Sequence, residues 1–312
     1  MDRITISTFQ LFQMFPDKES ARVYFESRMW PQGVRCPVCA SDEITLRTRA
    51  GFYRCNACRR NRLPSGFTVC TGTIFERTHV PLHKWLYAMY LLVTARKGIS
   101  SLQLSKQIGV TQKTAWFMLH RLREACGSDL NKLQGVVEVD ETHLGGIEQN
   151  KHESKKLRAG RGAVGKATVV GLRERGPGGR VIAEHVLTPD AATLQGAIFK
   201  HVEAGSQIYT DESAAYSGVG GLFFLHDTVN HTVREYVRGD VSTNSIESVW
   251  AVLKRGVVGV YHKVSTKHLG RYVNEFAFRL NDGDVKRHTL DRLDSMIALT
   301  VGKRLTFARL TA

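Results

Sequence analysis

Hydrophobic and polar positions follow a helical period in the first part of the chain. Residues 1–30 carry apolar and aromatic side chains at helical spacing, which predicts a small helical lead-in. Trp85–Val93 is a strongly apolar helix, too short to span a bilayer. Two shorter amphipathic helices follow, at Ser100–Ile108 and from Gln112 to about Glu124. The pattern therefore predicts a helical region over residues 80–128.

From Val136 onward the pattern changes to β-branched and alternating runs, which are typical of strands. The predicted elements are a strand at Val136–Val139, strands at Ala167–Leu172 and Arg180–Leu187 joined by a Gly-Pro-Gly-Gly turn, a helix at Thr193–Glu203, a strand at Gln207–Thr210, a fifth strand at 223–225 and a helix from Asn244. This order, close to β-β-β-α-β-α-β-α, predicts an α/β domain that resembles ribonuclease H-like domains. We expect it over residues 135–285.

The two short helices are joined by a turn that contains Gly109, and Thr111 is suited to cap the second helix. A helix, a glycine turn and a capped helix form the helix-turn-helix pattern of many DNA-binding domains. The predicted core residues of the second helix are Ala115, Met118, Leu119 and Leu122. The residues predicted to be exposed, and so able to meet DNA, are Gln112, Lys113, Trp116 and Arg123. An ordinary helical hairpin without DNA contact is the alternative.

The charge of the chain points to a polyanionic partner. Its 312 residues carry a net charge of +15, and an excess of this size most often accompanies nucleic-acid binding. A protein that is basic without such a partner is the alternative. The N-terminus lacks an apolar segment of signal-peptide length, so we expect a cytoplasmic protein that does not enter membranes.

Four of the six cysteines form two CxxC pairs, Cys36/Cys39 and Cys55/Cys58. Two such pairs at this separation can place four thiolates around one structural Zn²⁺. The sequence therefore predicts a zinc ribbon over residues 31–75. Basic residues crowd it, and Arg59 and Arg60 are candidates for DNA contacts.

Three carboxylates come from separate segments: Asp140 after the first strand, Asp211 after the fourth, and Glu247 near the start of the last helix. Such a set suits two divalent ions, Mg²⁺ or Mn²⁺, in phosphoryl transfer. We expect Asp140 to bridge both ions, with Asp211 on one and Glu247 on the other. Lys254, two turns after Glu247, would contact a phosphate. Helix capping is the alternative role for Glu247, with Asn244 as N-cap.

Glu141 follows Asp140 directly. Successive strand residues point to opposite faces, so only one of the two should face the site.

These motifs together resemble bacterial insertion-sequence transposases of the zinc-ribbon DDE type. The resemblance covers roughly Cys36–Asn281 and is carried by CxxC…CxxC, the helical pair, VEVDETHLGG, IYTDESAAY and the long TNSIESVWAVLKR segment. It implies a ribonuclease H-like domain that cuts and joins DNA at transposon ends, with Asp140 and Asp211 as catalytic residues. For the third catalytic residue it leaves Glu247 and Asn244 open, and Glu247 is preferred for its spacing to Lys254.

The resemblance implies double-stranded DNA as partner, both transposon ends and target, with a homodimer or higher assembly on the DNA. Two other functions remain open: a DNA-binding regulator on an inactive nuclease scaffold, and a ribonuclease H-like nuclease or resolvase without joining activity. A basic helical tail at residues 286–312 completes the predicted organisation.

Overall fold

The computed structural model describes residues 4–127, 131–146, 150–157, 164–220, 225–229 and 237–312. The chain forms two compact units, one of Met1–Ser128 with Asp282–Ala312 and the other of Asp129–Asn281. Within the described residues, no helix is both long enough and apolar enough to cross a membrane.

The α-helices of the described residues, in chain order, are α1 Thr8–Met14, α2 Lys18–Met29, α3 Asn56–Arg60, α4 Leu82–Thr94, α5 Ser101–Ile108, α6 Gln112–Cys126, α7 Ala191–His201, α8 Asn244–Gly256, α9 Thr266–Leu280, α10 Thr289–Ala298 and α11 Phe307–Thr311. The strands are β1 Ile44–Leu46, β2 Tyr53–Cys55, β3 Gly66–Phe67, β4 Val136–Leu144, β5 Ala167–Glu174, β6 Val181–Val186, β7 Gln207–Asp211, β8 Leu225–Val229, β9 Val237–Arg238 and β10 Val241–Ser242.

The first unit is helical apart from the small sheet β1-β2-β3. The final segment of the chain belongs to its core, because Leu293, Met296 and Ile297 on α10 are fully buried. Buried Arg292 donates to the Val93 carbonyl oxygen at the end of α4. The predicted basic tail is thus folded into this unit.

The second unit is built on a five-stranded sheet of order β6-β5-β4-β7-β8. The strand pairs β4-β5 and β5-β6 are antiparallel, whereas β4-β7 and β7-β8 are parallel. Apolar residues of β4 and β5 pack on one face with α7, and the other face is covered by α8 and α9. The predicted hairpin and the predicted strand ending at Asp211 are confirmed.

The structure corrects the first predicted strand. Instead of ending at Val139, β4 continues to Leu144, because it pairs with β5 from Val137 to Leu144. Asp140 therefore lies within a strand of the antiparallel pair, two residues past the last position paired with β7. The fifth strand is Leu225–Val229, and residues 223 and 224 of the predicted strand lie outside the described residues. The described chain between β7 and β8 contains a 3-10 helix, Ala214–Tyr216, where the predicted order had an α-helix.

Candidate metal centres and nucleic-acid interface

The two CxxC pairs converge at the small sheet of the first unit. β1 and β2 pair as antiparallel strands, and the Cys55 side chain accepts from the Cys58 backbone N–H at the start of α3. This N–H, together with hydrogen bonds from the neighbouring thiols, lowers the pKa of the Cys55 thiol from 9.0 to about 7. The fold thereby favours at least one thiolate before any metal is bound.

The sulfur geometry fits a tetrahedral metal. The Sγ atoms are 3.6 Å apart for Cys36 and Cys58, 3.5 Å for Cys39 and Cys55 and 3.4 Å for Cys39 and Cys58. A Zn–S distance of about 2.3 Å gives a tetrahedron edge of about 3.8 Å. The four cysteines can hold a zinc ion, and in the described residues they are the only such group with all ligand atoms within 4.8 Å.

Two exposed arginines follow Cys58 on α3. Arg60 forms an ion pair with Glu43, with Nη1 2.7 Å from Oε2. Arg59 is exposed. Both are accessible to a polyanion, as predicted, although Arg60 already has a carboxylate partner.

The α5–α6 pair has the turn that the sequence predicted. Gly109 ends α5 in the left-handed region at φ +61°, where a side chain would be strained. The Thr111 side chain caps α6 by accepting from the Thr114 N–H. At the start of α6, Gln112 and Lys113 are exposed and Trp116 is half-buried.

Arg123 corrects the prediction for α6, because this side chain is only 1 % exposed. The C-terminal half of the helix is covered on more than one side. Neighbouring Arg121 donates to the Leu305 carbonyl oxygen, and Lys303 donates to that of Ala125. A single helical period could not reveal this second covering surface. Arg123 is therefore unavailable to DNA in this structure.

Asp140 is a largely buried carboxylate on the α8 side of β4. Burial raises its pKa from 3.8 to about 6, although the Trp250 indole N–H and the Glu141 backbone N–H oppose the rise. The negative charges of Asp211 and Glu247 raise this pKa further. Asp140 and Asp211 thus lie on the paired strands β4 and β7, and Glu247 lies one turn before Trp250 on α8, near enough to Asp140 for its charge to act there.

Asp211 ends β7, where its Oδ1 accepts from the Ser213 N–H at 3.1 Å. Glu141 bonds to the Tyr216 hydroxyl at 2.6 Å, on the α7 side of the sheet. Burial, with the charges of Asp211 and Asp140, raises the pKa of Glu141 from 4.5 to about 7. These contacts are consistent with the predicted division of Asp140 and Glu141 between opposite faces. The charges of Asp211 and Asp140 nevertheless act on Glu141.

Glu247 and Lys254 are both exposed on α8, as is Asn244 at its first position. The Lys254 charge reaches β4, where burial, Lys166 and Lys254 together lower the pKa of His143. The capping arrangement with Asn244 as N-cap is wrong, since the N-cap residue is Thr243 and its side chain makes no capping bond. The Thr243 hydroxyl instead donates to Glu247 Oε1 at 3.4 Å.

The cap of α8 comes instead from Glu138, which sequence reasoning missed. This carboxylate is 1 % exposed and accepts from the Ser245 and Ile246 N–H groups, each at 2.9 Å. Its other oxygen accepts from Arg175 Nε at 2.7 Å. The signal was present in the alternation of valine and acid along β4, which places Glu138 and Asp140 on one face.

The spacing of Ile246, Val249, Trp250 and Leu253 along α8 is that of one apolar helical face, and all four side chains are buried. The indole Nε1, however, donates to Asp140 Oδ2 at 2.9 Å. A polar contact from a stripe residue could not be read from helical spacing.

The carboxylate set fits hard divalent cations, because a buried acid beside two further acids is costly to ionise without a positive charge. The ligand oxygens of these three described acids do not all lie within 4.8 Å of one another, whereas the four cysteine sulfurs do. A site for two ions spreads its ligands more widely than a site for one ion.

Comparisons with known proteins agree with both regions. Residues 132–281 match the model of the ISXO2-like transposase domain, and residues 16–61 match the transposase zinc-ribbon domain. A protein of Halobacterium salinarum, "Uncharacterized protein in transposable element ISH50", is 31% identical over 268 residues, covering 80% of this chain and 86% of its own length. That relative is archaeal, so such elements are not confined to bacteria.

One solved structure also shows similarity, "CryoEM structure of simian T-cell lymphotropic virus intasome in complex with PP2A regulatory subunit B56 gamma". The match has a TM-score of 0.29 and 15% identity, over 61% of this chain and 65% of that one. This likeness is too low to support a conclusion.

Proposed function

Because this chain belongs to the family of ISXO2-like transposases, we propose that it binds the terminal repeats of a mobile element and catalyses 3′-end cleavage and strand transfer. The observation that carries the proposal is the convergence of Asp140, Asp211 and Glu247. Each comes from a different element, and the last two raise the pKa of the first.

The proposed fold of the second unit is ribonuclease H-like. Its support is the sheet order β6-β5-β4-β7-β8, in which β4 is antiparallel to β5 and parallel to β7. This order puts Asp140 and Asp211 on adjacent strands. Glu247 lies one turn before Trp250 on α8, and the bond from Trp250 to Asp140 supports its assignment to the same site.

The proposed ligands of Mg²⁺ or Mn²⁺ are Asp140, Asp211 and Glu247, with Asn244 as second choice for the third position. When bound, such ions activate the attacking oxygen and stabilise the leaving oxygen of a phosphodiester. The protein supplies the carboxylates, already held by strand and helix contacts. The proposed role of Lys254 is to bind a phosphate oxygen, and its support is its exposure two turns after Glu247 on α8.

The proposed DNA-binding surfaces are the zinc ribbon, with Arg59 and Arg60, and the α5–α6 pair as a helix-turn-helix, with Gln112, Lys113 and Trp116. Their support is the exposure of the four polar residues, the partial exposure of Trp116 and the net charge of +15. We propose the domains at 31–75, 80–128 and 135–285, and a homodimer or larger assembly, since joining two ends requires two active sites.

The test is strand transfer with purified protein, labelled end DNA, a plasmid target and Mg²⁺. We expect Asp140→Asn to reduce joined product by at least about 1,000-fold, the scale of losing a residue central to transition-state stabilisation. End binding in gel shift should stay within about 2-fold. Glu203→Gln, which removes one exposed charge of the same unit, is the matched control and should keep full activity.

The same assay separates the alternatives. Cleaved but unjoined product would favour a nuclease or resolvase. End binding without product from the wild type, once the correct repeats are supplied, would favour a regulator. For the third catalytic residue, Glu247→Gln and Asn244→Ala are compared, and the larger loss identifies it.

A further inference from the structure

Trp250 is the single tryptophan of the second unit, since Trp30, Trp85 and Trp116 belong to the first. It is 4 % exposed, and its Nε1 is 2.9 Å from Asp140 Oδ2. A buried indole N–H needs an acceptor. Here the acceptor is the carboxylate proposed to hold the catalytic ions.

A glycine in the sheet leaves space for this indole ring. Gly171 on β5 is the cross-strand partner of Asp140. A Cβ atom at Gly171 would lie 2.4 and 2.6 Å from two ring carbons of Trp250. Contacts this short do not occur, so any larger residue at 171 would displace the indole from Asp140.

Packing alone does not require tryptophan at this position. Ile246, Val249 and Leu253 fill the same apolar stripe without a polar atom, and phenylalanine would fill most of the space. The glycine opposite Asp140 and the N–H directed at its carboxylate point to a second role. Trp250 also lies one turn after Glu247 on α8. Its hydrogen bond therefore connects the helix that carries Glu247 to the strand that carries Asp140.

We propose that Trp250 is a positioning residue for Asp140, and that Gly171 provides the space it needs. The inference rests on the proposed function. The indole N–H fixes the plane of the Asp140 carboxylate and leaves its remaining lone pairs for a divalent cation. Through α8 it also sets the separation between Asp140 and Glu247.

The hydrogen bond is tested first, by NMR of full-length protein labelled with ¹⁵N at the indole nitrogens. Replacing each tryptophan by phenylalanine assigns the four indole signals, and the other three replacements suffice if Trp250→Phe does not fold. We expect the Trp250 signal to move upfield in Asp140→Asn, because an amide oxygen is a weaker acceptor than a carboxylate. An unchanged signal would overturn the inference.

The positioning role is tested by Mn²⁺ binding in calorimetry, without DNA, on zinc-loaded protein. We expect Trp250→Phe to weaken Asp140-dependent Mn²⁺ binding about 10-fold, within the range typical for residues that orient metal ligands. Gly171→Ala should weaken it similarly while keeping the indole. Trp85→Phe is the matched control, since Trp85 is a buried indole that donates to Thr78 in the other unit, and it should leave the affinity unchanged.

The outcomes separate the two proposals. Wild-type affinity in Trp250→Phe, with binding that still requires Asp140, overturns the positioning role and leaves the proposed function intact. If the wild-type protein binds no divalent cation through Asp140, both the proposed function and this inference are wrong.

Discussion

The zinc ribbon and the proposed carboxylate site both bring like-charged ligands close together, but they take those ligands from different kinds of structure. The ribbon takes all its ligands from two tight turns between Cys36 and Cys58, and brings their sulfur atoms within 4.8 Å of one another. The carboxylate site draws Asp140 and Asp211 from adjacent strands and Glu247 from a distant helix. One is encoded by spacing along the chain and the other by sheet topology.

The difference predicts how each site depends on its metal. The ribbon cluster has a core of a few residues, such as Tyr53 and Phe67 around the cysteines, so metal binding must supply much of its folding free energy. The carboxylate site rests on two large apolar clusters, one on each face of the sheet. It should be formed before any ion binds, at a free-energy cost from the burial of charged Asp140 and from repulsion by Asp211 and Glu247, which the ion relieves.

The largest effect is expected from breaking the ribbon. Cys36→Ser removes one of four ligands, and structural zinc is worth about 10–16 kcal/mol of apparent binding free energy. We expect zinc content to fall from about one per chain to near zero, measured by atomic absorption, and residues 31–75 to become protease-sensitive. Cys70→Ser lies outside the four-cysteine group and is the control. Unchanged zinc content in Cys36→Ser would refute the ribbon assignment.

A smaller effect is expected from the cap that docks α8 on the sheet. Glu138→Ala leaves the Ser245 and Ile246 N–H groups without their acceptor, whereas the partly exposed Arg175 keeps its other hydrogen bonds. Each buried donor left unsatisfied costs about 1–3 kcal/mol, so we expect a total loss of about 2–4 kcal/mol. Glu153→Ala, which removes an exposed ion pair with Lys156, should cost under about 1 kcal/mol. Urea denaturation measures both, and equal losses would mean that Glu138 does not hold the helix.

The burial of Asp140, with the added charges of Asp211 and Glu247, predicts a pH dependence of stability. The folded pKa of Asp140, about 6, lies above its unfolded value of 3.8. Ionisation is therefore penalised by folding, so this group costs no stability below pH of about 4, and the cost is complete above its folded pKa.

Asp140→Asn cannot ionise and can still accept from the Trp250 N–H. Without added divalent ions, we expect it to exceed the wild type by about 1–3 kcal/mol at pH 7.5 and by almost nothing at pH 4. Urea denaturation at both pH values measures this, and saturating Mg²⁺ should shrink the difference. A mutant less stable than the wild type at pH 7.5 would contradict a preformed, strained site.

The smallest effect concerns the exposed arginines of the ribbon. Arg59→Ala with Arg60→Ala should change stability by under about 0.5 kcal/mol, because both side chains are exposed. If both arginines contact phosphates, the magnitude of the slope of the logarithm of the DNA-binding constant against the logarithm of the salt concentration should fall by about 2. Fluorescence anisotropy with end DNA at several salt concentrations measures it. An unchanged slope would place the DNA contacts of the first unit elsewhere.

The sequence by itself determined the features that depend on neighbours along the chain. Three local features were predictable, because each depends on backbone geometry over a few residues. They are the two CxxC pairs, the turn at Gly109 with its Thr111 cap, and the turn between β5 and β6. The apolar stripe of α8 followed from helical periodicity in the same way. Asp140, Asp211 and Glu247 could be nominated only with the family resemblance, because a chain with 29 acidic residues offers many sets of three.

Only the tertiary structure decided which partners these elements meet. β4 extends to Leu144 because β5 offers hydrogen bonds along that length. Arg123 is buried although periodicity placed it outside. Glu138 caps a helix that begins more than a hundred residues later, and Trp250 reaches Asp140 because Gly171 on a third element leaves room. Periodicity identifies a face of a helix or strand, but the free energy that fixes its partner comes from atoms that the chain brings near only on folding.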